Sequence, residues 1–376
     1  MINIFNKEKA FVVLLIVICI ILWLKPTSFE GTNEDNAIRC KAKVVYVDNS
    51  DVHIHGIVKT GAQRIVLEII NGKYKGHKVE VDNNLLGKLE LDKVFNIGDK
   101  ALVVIEHDKG NIVYTNIIDF YRINLESILL IAFILLLVIL AGWVGVKSVL
   151  SFIFTILMIW KVLLPFYLNG HDPIIIALLV VSVLNFVIIF LVADFTKKGL
   201  SAFLGSMLGM ILTCILAVTF GKEFRIHGAV VPFAETLLYS GYANLDLTRI
   251  FYSSIFIASS GAVMDVSMDI AASINEVVDK KPNISTKEAI LSGINVSKAI
   301  LGTMTTTLLL AYSGGYTAML MVFMAQSTPI YNILNITYVA SEILHTLVGS
   351  FGLIMVAPFT AFVAGIIFTR KKGTIL

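Results

Sequence analysis

Residues 128–147 read ILLIAFILLLVILAGWVGVK, with Lys147 as the only charge. At 1.5 Å of rise per residue, about twenty such residues cover the roughly 30 Å hydrocarbon core of a bilayer. The pattern extends outward: from Ile128 to Phe220 there are six charges in 93 residues. Over all 376 residues, 57% are hydrophobic and 15% charged, and the mean hydropathy is +0.83. Soluble domains carry about 25% charged residues. This composition excludes a soluble enzyme, a disordered chain and a nucleic-acid binder built on a basic face. The net charge of +3 selects no partner by its overall field. The expected class is an α-helical polytopic membrane protein whose immediate partner is the lipid bilayer.

Upstream, the composition changes. Residues 26–124 hold 13 Lys/Arg and 14 Asp/Glu, a soluble-domain density, and are preceded by the apolar run Ala10–Leu24. No small-x-small cleavage site follows that run, so it reads as an uncleaved anchor. Three domains are expected: an anchor helix at 1–25, an extracytoplasmic β-rich domain at 26–124, and a polytopic helical domain at 125–376. Spans are expected near 10–25, 127–146, 148–167, 173–194, 199–220, 248–275, 290–312 and 338–369. These eight crossings place Lys7, Lys9, Lys147, Lys197, Lys198, Lys280, Lys281, Lys287 and the Arg370-Lys371-Lys372 tail in the cytoplasm. Both termini are then cytoplasmic and 26–124 lies outside. The apolar stretch 316–333 would break this count as a ninth span, so it is expected to re-enter or lie on the surface. Leu204-Gly205-Ser206-Met207 echoes Leu301-Gly302-Thr303-Met304, and Gly261-Ala262-Val263-Met264 echoes Gly352-Leu353-Ile354-Met355. Parallel internal repeats or chance similarity of small-residue helices both account for the echo.

Within 26–124, β-rich runs at 38–47, 51–58, 63–70, 100–107 and 111–118 alternate with turn signals such as Asn71-Gly72 and Lys109-Gly110. Five or six short strands predict a small barrel-like domain, OB-like in outline. Asp51, His53 and His55 alternate along one run and are the candidate metal ligands; the alternative is a half-buried strand with a polar outer face. The cysteines Cys19, Cys40 and Cys214 offer no disulfide framework to this domain.

The sixth span holds SSGAVMDVSMDIAASINEV, residues 259–277. Asp265 and Asp269 are four apart and so share a helix face. A carboxylate at such depth costs a few kcal/mol and must face protein or a watered path. That is the chemistry of a cation or proton site, although a helix-packing brace accounts for it too. Met264 and Met268 are candidate soft-metal ligands or plain packing residues. Lys298, Thr303 and Thr306 are candidate path-lining groups, and Glu342 and His345 share a face of the last helix. There is no His-Glu-x-x-His, no Walker A sequence and no second opposed aspartate. The chain therefore reads as a non-enzyme without a cofactor.

The 259–277 string resembles the hallmark of the YibE/F-like family of bacterial multi-pass membrane proteins. Gly98-Asp99, Asp119, Tyr121-Arg122, Leu301-Gly302-Thr303-Met304 and Gly314-Gly315 extend the resemblance over most of 38–368. It implies this fold and a cell-membrane location, and it says little about substrate. The family's usual form has a small residue where Asp269 stands, which leaves Asp265 as the carboxylate the resemblance carries over. Two functions follow: a secondary transporter or exporter of an ion or small solute, or a non-transporting sensor or assembly subunit whose outer domain binds a ligand or protein. A homo-oligomer is compatible with both, and neither uses nucleic acid.

Overall fold

The computed structural model describes residues 2–27, 29, 37–108 and 110–370. These residues form two compact units, 29–136 and 1–28 with 137–376. The structure thus groups the first part of the long helix after residue 122 with the β-rich unit.

The β-rich unit contains β1 (Ala37–Asp48), β2 (Val52–His55), β3 (Val58–Ile69), β4 (Lys78–Leu86), β5 (Lys100–Asp108) and β6 (Asn111–Phe120). The sheet is antiparallel with order β2-β3-β1-β5-β6, and β4 also pairs with β3. Period-two alternation builds its core: Cys40, Ala42 and Val44 face Ile65, Leu67 and Ile69 and Ala101, Val103 and Ile105, all buried. The sheet curls so that β4 and β6 border an opening of about 610 Å³ lined by Glu80, Asp82, Tyr114 and Thr115. This strand order is compatible with an OB-like barrel open between two strands. The run expected at 51–58 is divided by a turn at Gly56, whose φ of 63° suits glycine.

In the other unit, α1 (Ile2–Leu24) carries the expected anchor run. Among the described residues, six helical runs are long and apolar enough to cross a membrane, and α1, where the first crossing was expected, is not one of them. They are Ile123–Leu168, α4 (Pro173–Ala193), α5 (Lys197–Glu223), α7 (Leu247–Lys280), α8 (Thr286–Gly314) and α11 (Thr337–Thr369). The first joins α2 (Ile123–Met158), a π-turn at Ile159–Leu163 and α3 (Leu164–Leu168). The expected division of this run into 127–146 and 148–167 has its counterpart in a break of the helix, placed at Gly142 (φ 54°, ψ −128°) and not at Lys147, five residues later. Lys147 is 5% exposed inside the helix, where its Nζ lies 3.0 Å from Glu8 and 3.6 Å from Asp194. Glu8 also accepts from Trp143 Nε1 at 2.9 Å. A buried lysine is tolerated when it is paired this way. Between α5 and α7 lies α6 (Ala234–Tyr239). The 316–333 stretch becomes α9 (Thr317–Ala325) and α10 (Ile330–Asn335), each too short to cross.

Side-chain caps set the helix starts. Asp172 accepts from the N–H of Ile174 and Ile175, Thr196 from Gly199, and Asp246 from Arg249, while Ser285 and Glu288 form a capping box. Helices α5, α7 and α11 pack through small residues. A Cβ at Gly205 would collide with Thr360, at Gly352 with Thr213, and at Gly293 with Ile274. Backbones approach this closely only where side chains are absent or small. Gly302 and Gly261, the echoes of Gly205 and Gly352, have nothing within 4 Å, so the similar strings occupy different surroundings.

Candidate functional site

Helix α7 runs parallel to α4, with the starts of the two helices side by side, and antiparallel to α8. At one end Asp172 forms an ion pair with Arg249, and Tyr167 Oη lies 2.7 Å from Ser253 Oγ. Asp265 is sixteen residues beyond Arg249, about 24 Å along α7, which places it in the half of the span where α4 ends. There α4, α7 and α8 border a half-open cavity of about 410 Å³. Asp265 and Asp269 line it together with Met264, Met268 and Met304, and Ile188, Ile189 and Val192 of α4 complete the wall. Both carboxylates are exposed to this space, whereas Val263, Val266 and Ile270 on the opposite face of α7 are buried. Among the described residues neither carboxylate has a cation in ion-pair range. Asp265 is thus not a brace tied to a neighbour.

The other sequence candidates divide. Lys298 points away from the cavity and donates to Asn295 Oδ1 at 3.0 Å. Thr303 and Thr307 return their hydroxyls to the backbone of α8, at Ile300 and Thr303. Helical spacing explains the separation: Thr306 stands roughly 160° around α8 from Met304. Asn295, Lys298, Gly302, Thr303 and Thr306 instead form an exposed polar face of α8.

Glu342 and His345 form a second site. Glu342 lines a separate cavity of about 230 Å³ with Ser313, Tyr316, Met319 and Val339. His345 stacks on Tyr312, with ring centroids 4.6 Å apart at 28°. Among the described residues Glu342 Oε1, His345 Nε2 and Tyr312 Oη are buried without a hydrogen-bond partner.

The metal candidates of the β-rich unit do not assemble. Asp51 is taken by Arg64 at 3.1 Å, and among the described residues no three His, Cys, Asp or Glu side chains gather to hold an ion. Cys19, Cys40 and Cys214 are free and buried.

Met304 and Tyr312 were not legible as site residues. Their signal was the antiparallel α7–α8 hairpin, which sets residues near 304 opposite the 261–265 turn of α7.

A sequence model of the YibE/F-like protein family matches residues 129–370, and a model of the YibE/F family N-terminal domain matches residues 39–120. No curated protein and no solved structure matches the chain.

Proposed function

The chain belongs to the YibE/F-like protein family, and on that premise we propose that it is a secondary transporter or exporter of a cation in the cell membrane, with Asp265 as the binding or coupling carboxylate. The observation that carries this reading is an acidic side chain, unpaired among the described residues, lining a cavity of about 410 Å³ at membrane depth. An ionised carboxylate there is expensive against lipid and becomes tolerable when water, a proton or a cation reaches it. Asp269, one turn along α7, adds a second acceptor toward the end where α4 stops.

The polar face of α8 supports the same reading. Asn295, Lys298, Thr303 and Thr306 are poor neighbours for lipid, and a watered route or a second copy of the chain satisfies them better. The orientation proposed is both termini cytoplasmic and 26–124 outside. Residues assigned to the cytoplasmic side do gather: Lys147 with Glu8 and Asp194, Lys197 Nζ 3.5 Å from the Ile367 carbonyl, and Thr286 2.7 Å from Thr369. Lys371, Lys372 and the side chain of Lys7 lie outside the described residues.

The test is cation flux into proteoliposomes holding the full chain. Asp265→Asn is expected to abolish flux while leaving the detergent melting curve in place, and unchanged flux would remove Asp265 from the mechanism. A second reading, a sensor binding its ligand in the β4–β6 opening, predicts instead that deleting residues 38–118 removes all activity.

A further inference from the structure

The composition of the Asp265 cavity narrows the cation. The wall carries five groups able to coordinate: the thioethers of Met264, Met268 and Met304 and the carboxylates of Asp265 and Asp269. Three of the chain's 11 methionines thus line one cavity, two from α7 and one from α8. The remaining wall, Ile188, Ile189 and Val192, is aliphatic and ligates nothing. A hard cation would leave three of these five groups unused, because magnesium and calcium take oxygen ligands. Zinc fits less well too, because its sites are completed by thiolate or imidazole beside any carboxylate, and neither lines the cavity. Thioether sulfur is soft and selects copper(I)-like ions, which accept few ligands. One adjacent carboxylate balances the single positive charge, while the neutral sulfurs supply the coordination.

Packing alone does not require this arrangement. Met264 does join a small apolar cluster with Ile189, Ala193, Ala202 and Ala271. Leucine would fill that place as well, and it would do so without three thioethers converging on a space that also holds two acids.

We propose that the cavity between α4, α7 and α8 is a binding site for a soft monovalent d10 cation of the copper(I) class, held by Met264, Met268 and Met304 with Asp265 as counter-charge. This rests on the transport reading only for its consequence, since binding is measurable without flux.

The probe is silver(I), which needs no reductant, titrated against the full chain in detergent with bound metal counted by mass spectrometry. The Met264→Leu/Met268→Leu/Met304→Leu variant is expected to bind one silver ion fewer per chain than the wild type. The three cysteines contribute equally to both proteins and cancel. Leucine conserves volume, so the melting temperature serves as the check on folding. Should the triple variant fail to fold, Met304→Leu alone is expected to weaken the same site by about tenfold or more, as loss of one soft ligand requires. Equal silver stoichiometry and affinity in wild type and folded variants would overturn the site. Methionine-dependent silver binding without any cation flux leaves the site standing and removes the transport reading. Asp265-dependent flux of another cation with methionine-independent silver binding does the reverse.

Discussion

Gln63 shows what a single residue decides in the β-rich unit. It is fully buried in β3, yet every polar atom of its amide is used. Its Nε2 donates to Asn49 Oδ1 and to the Phe95 carbonyl, and its Oε1 accepts from Asn83 Nδ2 and the Phe95 N–H. The chain between β4 and β5 is thereby pinned so that Phe95 enters the core against Phe120, 4.5 Å away. Gln63→Leu keeps the volume but strands both backbone groups of Phe95, at a cost of about 3 kcal/mol. Hydrogen exchange at residues 93–96 is the measurement: accelerated exchange is expected, and wild-type protection would show that the amide is dispensable. None of this was legible beforehand, because a glutamine in a strand pattern reads as solvent-facing. Asp265 was legible for the opposite reason, since an acid inside an apolar helix has few explanations. Met304 was not: its role depends on which turn of α7 it meets, and a single helix does not encode that.

At the scale of elements, five helix boundaries were read to within a few residues, because apolar length and capping residues are local signals. The break in the first long run was placed at Lys147, five residues late. Gly142 makes it, and Glu8 and Asp194, distant in sequence, neutralise the lysine within the fold. Strand β4 was also missed; its Asp82-Asn83-Asn84 centre lowers strand propensity, and pairing with β3 overrides it. Helix contacts depend on glycine position more than on glycine count. Gly205→Val drives a side chain into Thr360 and is expected to cost about 1–3 kcal/mol. Gly302→Val, at the echoed position on α8, meets open space and is expected to leave stability nearly unchanged. Thermal melts of the two variants in the same detergent compare them, and equal losses would restore the two positions as structural equivalents.

Across the whole molecule, the membrane class and the separate β-rich region followed from charge density, while the site required three helices to be brought together. Ionic groups sort toward the ends of the helical unit: Asp172 and Arg249 at one, Glu8, Lys147 and Asp194 at the other. Between those ends Asp265, which among the described residues has no cation in ion-pair range, borders a cavity. Every functional conclusion depends on that cavity being reached by water. The direct measurement is reaction of Asp265→Cys with a charged, membrane-impermeant thiol reagent, in reconstituted protein lacking Cys19, Cys40 and Cys214. Val266→Cys, one residue away and fully buried, is the internal reference. Rapid labelling at position 265 with an inert position 266 is the predicted result; equal inertness at both positions would contradict it.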